Sequence, residues 1–249
     1  AYKLIDIAKQ AGADAVKFQA YNTDEMCLRN ASLCQYQKNS KFSNQYDLLK
    51  KYELTKTNLV NLYKYSRKKK IEFMLSYFDL ESLKIIEEIK TNYIKIPSGE
   101  INNFILLRHI AKKNKKIIFS TGMSNMRDIQ KNLSFLLKCK VKKKDITILY
   151  CISSYPTKLE EVNLSQIRIL KNFFNIDVGF SDHTKSFESA VLSLAYGSKI
   201  IEKHLTLNNN LIGPDHKSSL DPKRFIQFVK IIRNAEIILK KKTNKNSQL

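Results

Sequence analysis

The feature that most constrains this chain is a strict alternation of short apolar β-type runs with longer helical patterns, sustained from one end to the other. Runs rich in β-branched and aromatic residues fall at 15–19 (AVKFQ), 72–76 (EFMLS), 93–97 (YIKIP), 117–121 (IIFST), 146–151 (ITILYC), 177–181 (DVGFS) and 199–204 (KIIEKH). Helical patterns occupy 57–70, 80–89, 104–114, 126–137, 165–174, 187–196 and 222–239. Strands joined by helix-length crossovers run parallel, and near-continuous apolar strands suit a sheet buried on both faces. One more helical pattern (Leu4, Ile5, Ala8, Ala11) comes first, with no strand ahead of it. Strand–helix units behind an orphan leading helix predict an α/β fold, a TIM (β/α)8 barrel apparently lacking its first strand.

A doubly wound open sheet is the structural alternative. It usually carries a glycine-rich turn after its first strand, and this chain has no GxGxxG or GxxxxGKS and only six glycines. The 249 residues suffice for one large barrel domain, expected over 1–239, with a polar tail at 240–249 (KKKTNKNSQL). Because Ala1 already sits within a helical pattern and has no cap, the chain is expected to be a fragment at its N-terminus. No apolar run approaches a membrane span and no signal-peptide core opens the chain, which predicts a cytoplasmic protein. Cys27, Cys34, Cys139 and Cys151 show neither CxxC nor zinc-ribbon spacing and are expected to be reduced. The long polar stretch 21–52 reads as a functional loop, such as a segment covering a substrate.

The net charge of +21 raises a different class of function, a basic nucleic-acid-binding protein. Its lysines, however, are spread over nearly every helix and turn (68–70, 142–144, 240–242), and no stripe interleaves them with aromatics as a single-strand groove would. The charge is read chiefly as solvated surface.

In an α/β barrel the chemistry sits at the C-terminal ends of the strands. Those ends carry Lys17 and Gln19; Ser76; Lys95, Ser98, Gly99 and Glu100; Ser120 and Thr121; Ser153 and Tyr155; Ser181, Asp182 and His183; and Glu202, Lys203 and His204. Lysines inside apolar strands are costly to bury without a partner, and hydroxyls gathered round them describe a pocket for a compact anion, a phosphate plus a carboxylate. His183 and His204 end consecutive strands, which stand about 4.8 Å apart. They could share a catalytic divalent metal with open positions, or each could simply hydrogen-bond in the pocket. Ser120 or Thr121 could equally cap the next helix. His109 reads as surface and His216 is ambiguous.

The segments AGADAVKFQ (11–19), IKIPSGE (94–100), STGM (120–123), CISSYPT (151–157), GFSDHT (179–184), EKHLTL (202–207) and GPDHKSSLDP (213–222), in this order, resemble the N-acetylneuraminate (sialic acid) synthase family, which includes legionaminic and pseudaminic acid synthases. The resemblance runs from residue 1 to about 238. It implies a transferase that condenses phosphoenolpyruvate with N-acetylmannosamine or a related acetamido sugar and releases phosphate. It further implies that His183 and His204 bind Mn²⁺ or Mg²⁺, and that Lys17, Lys95, Ser76, Ser98, Ser120, Ser153 and Ser181 line the phosphoenolpyruvate site. Gln19, Glu100, Tyr155 and Asp215 would hold the sugar, with Glu100 and Lys95 as the catalytic pair. The partners implied are small molecules, with a homodimer in the full-length form and neither nucleic acid nor membrane.

The sequence departs from the family pattern in places. The first-strand motif E-I-G-x-N-H-x-G and the small C-terminal antifreeze-like domain are not in the chain, and the usual S-T-P-F is Leu75-Ser76-Tyr77-Phe78. Ser153 stands where some relatives have Asn. An inactive fragment or degenerate relative is therefore an alternative, as is the N,N'-diacetyllegionaminate branch, towards which GPDHKSSLDP leans. A Schiff-base aldolase using Lys95 or Lys17 is the fallback within enzymes.

Overall fold

The computed structural model describes residues 1–33 and 42–240. Cys34, the middle of the 21–52 stretch and the tail from 241 lie outside them. Helix α1 (Tyr2–Ala11) opens the chain and stops at Gly12, whose φ of 82° is the left-handed turn glycine adopts without strain. Seven parallel strands follow: β1 (Ala15–Ala20), β2 (Glu72–Tyr77), β3 (Tyr93–Ile96), β4 (Lys116–Ser120), β5 (Ile146–Cys151), β6 (Asp177–Asp182) and β7 (Ile201–Lys203). They pair in chain order, β1 through β7.

Helices fill the crossovers: α2 (Thr23–Met26), α3 (Gln45–Tyr52), α4 (Lys56–Lys68), α5 (Leu80–Leu83), α6 (Phe104–Ala111), α7 (Met126–Lys138), α8 (Ser165–Phe174), α9 (Glu188–Ala195) and α10 (Pro222–Leu239). Several start on side-chain caps that the sequence spells out. The Thr55, Asp79, Asn103 and Asp221 side chains each accept a backbone N–H of the first turn, and Pro222 occupies the first helical position of α10. The core lies between strands and helices, with Leu75, Ile94, Ile96, Leu106, Phe119 and Ile148 fully buried.

The sheet is curled. Flat, a seven-stranded sheet would hold its outer strands about 29 Å apart. Here Lys17 on β1 and Glu202 on β7 meet at 2.7 Å, and α1 packs against α10 across the same seam. Among the described residues no ladder joins β1 to β7. No helix among them is long and apolar enough to cross a membrane.

Three expectations are corrected. The stretch 21–52 is not a bare loop: it holds α2 and α3, capped by Asn22 and Asn44. The helix expected over 80–89 is a single α turn, α5, continued by a 3₁₀ turn over Lys84–Glu87. The helix after β4 is capped by Asn125, not by Ser120 or Thr121, and so Ser120 is left for other work.

Candidate active site

Side chains alternate along a strand, so residues two apart share a face. Lys17 and Gln19, then Glu202 and His204, line one cavity of about 1030 Å³, which α1 and α10 residues also border at the seam. Lys17 Nζ donates to Glu202 Oε2 at 2.7 Å, and Ser181 Oγ donates to Glu202 Oε1 at 2.7 Å. Lys95, 2% exposed, donates to Ser120 Oγ at 2.7 Å and stands 3.7 Å from Glu202 Oε1. Two ammonium groups thus flank one carboxylate, and the cluster keeps a net positive charge. Burial pulls the Lys95 ammonium down to about 8, with the Glu202 carboxylate opposing and Lys17 reinforcing the fall. Burial disfavours the Glu202 carboxylate, yet the two lysines outweigh it and hold the group well below the usual carboxylate range.

Hydroxyls rim this cluster. Gly122 N donates to Ser98 Oγ at 3.1 Å, tying the end of β3 to the end of β4. A Cβ at Gly122 would stand 2.4 Å from Ser153 Oγ and 3.0 Å from Cys151 Sγ, so only glycine lets the two loops approach this closely. Ser76 is paired in register with Lys95, and its buried Oγ has no hydrogen-bond partner among the described residues.

Beside the lysines stand two imidazoles with ring centroids 5.3 Å apart. His183 Nδ1 lies 2.8 Å from Ile152 O; a carbonyl only accepts, so Nδ1 carries the proton and Nε2 keeps its lone pair. Burial brings His183 down to about 4, helped by His204, and burial brings His204 to about 4, helped by Lys17. Both rings are therefore neutral near pH 7, the form that ligates a metal. The Tyr155 ring lies 4.2 Å from that of His183, and Asp215 Oδ2 lies 3.8 Å from His204 Nδ1. Burial raises the Asp215 carboxyl. Among the described residues no group of three or more His, Cys, Asp or Glu side chains is placed to hold a metal ion. The pair fits an open site completed by water or substrate, with a backbone carbonyl orienting one ring.

The structure thus gathers Lys17, Lys95, Ser98, Ser120, Tyr155, Ser181, His183, His204 and Asp215. It does not bring Glu100 to the lysines: no hydrogen bond or ion pair among the described residues joins them. Glu100 instead accepts from Asn103 Nδ2 at 2.8 Å, and burial, together with nearby Asp79, raises its carboxyl. Gln19 and Ser153 are exposed at the rim. His109 is exposed, and His216 Nδ1 pairs with Thr206 Oγ1 at 2.7 Å within its own loop. Sequence reasoning placed Glu202 at a strand end but gave it no role. The signal was its spacing, two residues before His204 and hence on the same face.

Comparison with known proteins finds relatives along nearly the whole chain. The chain is 40% identical over 238 residues to the N,N'-diacetyllegionaminic acid synthase of Campylobacter jejuni, covering 95% of this chain and 71% of that protein. It is 30% identical over 239 residues to the N-acetylneuraminate-9-phosphate synthase of Drosophila melanogaster, covering 95% and 64%. The crystal structure of the N-acetylneuraminic acid synthetase of Leptospira borgpetersenii in complex with citrate superposes with a TM-score of 0.85 at 32% identity, over 99% of this chain and 81% of that one. The chain spans about two thirds of the length of the curated relatives it matches. The sequence profile of the NeuB family matches residues 4–244, and the chain belongs to that family.

Proposed function

We propose that the chain is the catalytic part of a nonulosonic (sialic-type) acid synthase that condenses phosphoenolpyruvate with N-acetylmannosamine or a related acetamido sugar. The observation that carries this reading is the meeting of Lys17 and Lys95 beside the neutral His183–His204 pair. One half of the site suits a small polyanion and the other an electrophilic carbonyl. The curled sheet is then a barrel of the (β/α)8 type, with the reaction at its C-terminal end.

Lys17, Lys95 and the Ser98, Ser120 and Ser181 hydroxyls would bind the phosphate and carboxylate of the enol and turn its C3 towards the sugar. His183 and His204 would hold a divalent metal, Mn²⁺ or Mg²⁺, which when bound supplies Lewis-acid polarisation of the open-chain aldehyde. C3 of the enol bonds to the aldehyde carbon, and the aldehyde oxygen takes up a proton. Water adds at C2 and gives up a proton, and the C2–O bond to phosphate then breaks as the new C2 hydroxyl passes its proton to the departing phosphate, leaving the 2-keto acid and inorganic phosphate. Glu100, raised by burial, is suited to holding and passing the proton, and Tyr155, Gln19 and Asp215 to framing the sugar. The legionaminic-type sugars are the alternative substrates within the same reaction.

Phosphate release from phosphoenolpyruvate is the test, with N-acetylmannosamine and a 2,4-diacetamido hexose offered separately, each with Mn²⁺ and with chelator. The reading predicts sugar-dependent release that the chelator abolishes. Release without sugar, or none with either sugar by a folded chain, argues against it. A second reading rests on Lys95, whose amine burial brings near neutrality, as a Schiff-base nucleophile. Borohydride trapping with pyruvate distinguishes the two, because only the aldolase would retain a covalent adduct.

A further inference from the structure

Behind the two imidazoles, on the opposite face of the same strands, lies a second and separate cluster. Asp182 at the end of β6 and Lys203 at the end of β7 are register partners, and strand alternation sets the Lys203 side chain on the face opposite that of Glu202, while Lys203 also borders the cavity. Lys203 Nζ donates to Asp182 Oδ2 at 2.7 Å, with side-chain exposures of 2% and 0%. The remaining ammonium protons face Thr184 O at 2.6 Å and Ser186 O at 3.3 Å. Asp182 is equally engaged: Oδ1 accepts from Thr184 N at 2.9 Å, and Oδ2 accepts from Ser189 Oγ at 3.0 Å. The Lys203 ammonium also lies 5.6 Å from the centroid of the Phe228 ring on α10.

The position of this cluster gives it meaning. Asp182 and Thr184 are the residues on either side of His183, and Lys203 immediately precedes His204. One ammonium group, on the residue adjoining the second imidazole, therefore holds the Asp182 carboxylate on one side of the first imidazole and the Thr184 and Ser186 carbonyls on the other. Strand β7 has only three residues and, among the described residues, pairs only with β6. Backbone pairing alone gives it little hold. A buried ion pair is weak evidence for stability, since desolvation offsets its attraction, so its use is better sought in what it fixes.

We propose that Lys203 and Asp182 are positioning residues that fix the separation and orientation of the His183 and His204 imidazoles. The consequence for metal binding rests on the function proposed above, whereas the positioning itself does not. Hydrogen-bonded groups behind a ligand set typically change metal affinity by about 10–100-fold when removed. The Lys203–Asp182 pair should act in the same way through the backbone.

The test uses the whole chain labelled with ¹⁵N-histidine, at fixed pH and without metal. His183 and His204 imidazole resonances are compared in wild type, Lys203→Met and the milder Asp182→Asn, with exposed His109 as internal control. The expected result is displacement or broadening of the His183 and His204 signals, smaller in Asp182→Asn, while His109 stays in place. Mn²⁺ titration followed by electron paramagnetic resonance should show affinity weakened by about 10–100-fold in Lys203→Met. A pair that serves stability alone would lower Tm and leave both imidazoles at their wild-type positions, and that result overturns the proposal. If Lys203→Met does not fold, Asp182→Asn decides by the same criterion. If wild type takes up no Mn²⁺ but the imidazoles move, the metal reading fails and the positioning role stands.

Discussion

Under the proposed function, Lys95 is a buried charge that would set both anion affinity and its pH range. Its ammonium must stay protonated to bind an anion, yet burial has lowered it to about 8. As pH rises through that value the free enzyme loses the charge, so kcat/KM for phosphoenolpyruvate should fall on an alkaline limb near pH 8. A bound dianion raises the same group, so the limb in kcat should lie at higher pH. Lys95→Arg, which stays charged, should lower the maximum and carry the kcat/KM limb upward; a limb unmoved in that variant would assign it to another group. Lys17, Lys95 and the serines were legible in the sequence because polar residues within apolar strands need partners. Their partner Glu202 was not, because KIIEKH reads as a charged strand end until β1 and β7 are brought together. Glu100, expected to manage protons and hold the sugar, lies in the short 3₁₀ turn over Ser98–Glu100 beside Asn103 and near Asp79.

At the scale of elements, the direction of all seven strands followed from alternation, since a helix-length crossover admits only parallel pairing, whereas their order also needed the missing glycine-rich turn to set aside a doubly wound sheet. Boundaries shifted where side chains decided them. The last strand shrinks from 199–204 to Ile201–Lys203, which leaves His204 just beyond the ladder, free to turn into the cavity. The polar 21–52 stretch concealed α2 and α3, whose Asn caps are plain in hindsight but precede no apolar period long enough to announce a helix. Packing between strands is less forgiving than their boundaries. A Cβ at Gly179 on β6 would stand 2.4 Å from Ile200 O and 2.6 Å from Leu149 Cδ2. The Leu149 methyl can rotate away, but the Ile200 carbonyl belongs to the backbone leading into β7. Gly179→Ala should therefore cost about 1–3 kcal/mol, read as a lowered urea midpoint at unchanged m-value. An unchanged midpoint would mean that the β6–β7 spacing is softer than this packing implies.

At the scale of the whole molecule, the site depends on a seam that no β ladder holds among the described residues. Lys17 belongs to one outer strand and Glu202 to the other, and α1 packs on α10 where the curl brings them together. Two kinds of contact could hold that seam. Arg233 on α10 donates to Gly12 O at 3.0 Å and to Asp14 Oδ2 at 2.7 Å, but its side chain is 37% exposed and that of Asp14 86%. Ion pairs that open to water contribute about 0–1 kcal/mol. Ile5 on α1, by contrast, is fully buried in the same core as Phe225, Val229 and Ile232 of α10. Truncating such a side chain to alanine costs about 2–5 kcal/mol. The apolar contact should dominate: Ile5→Ala should lower Tm markedly, while Arg233→Ala should stay close to wild type. Function should follow the same ranking, because loosening the seam moves Lys17 relative to Lys95 without touching either. Ile5→Ala, assayed well below its Tm, should raise KM for phosphoenolpyruvate more than it lowers kcat, and Arg233→Ala should change neither appreciably. The reverse ranking would place the closure of the curl in its surface charges, and would make the geometry of the anion site sensitive to salt.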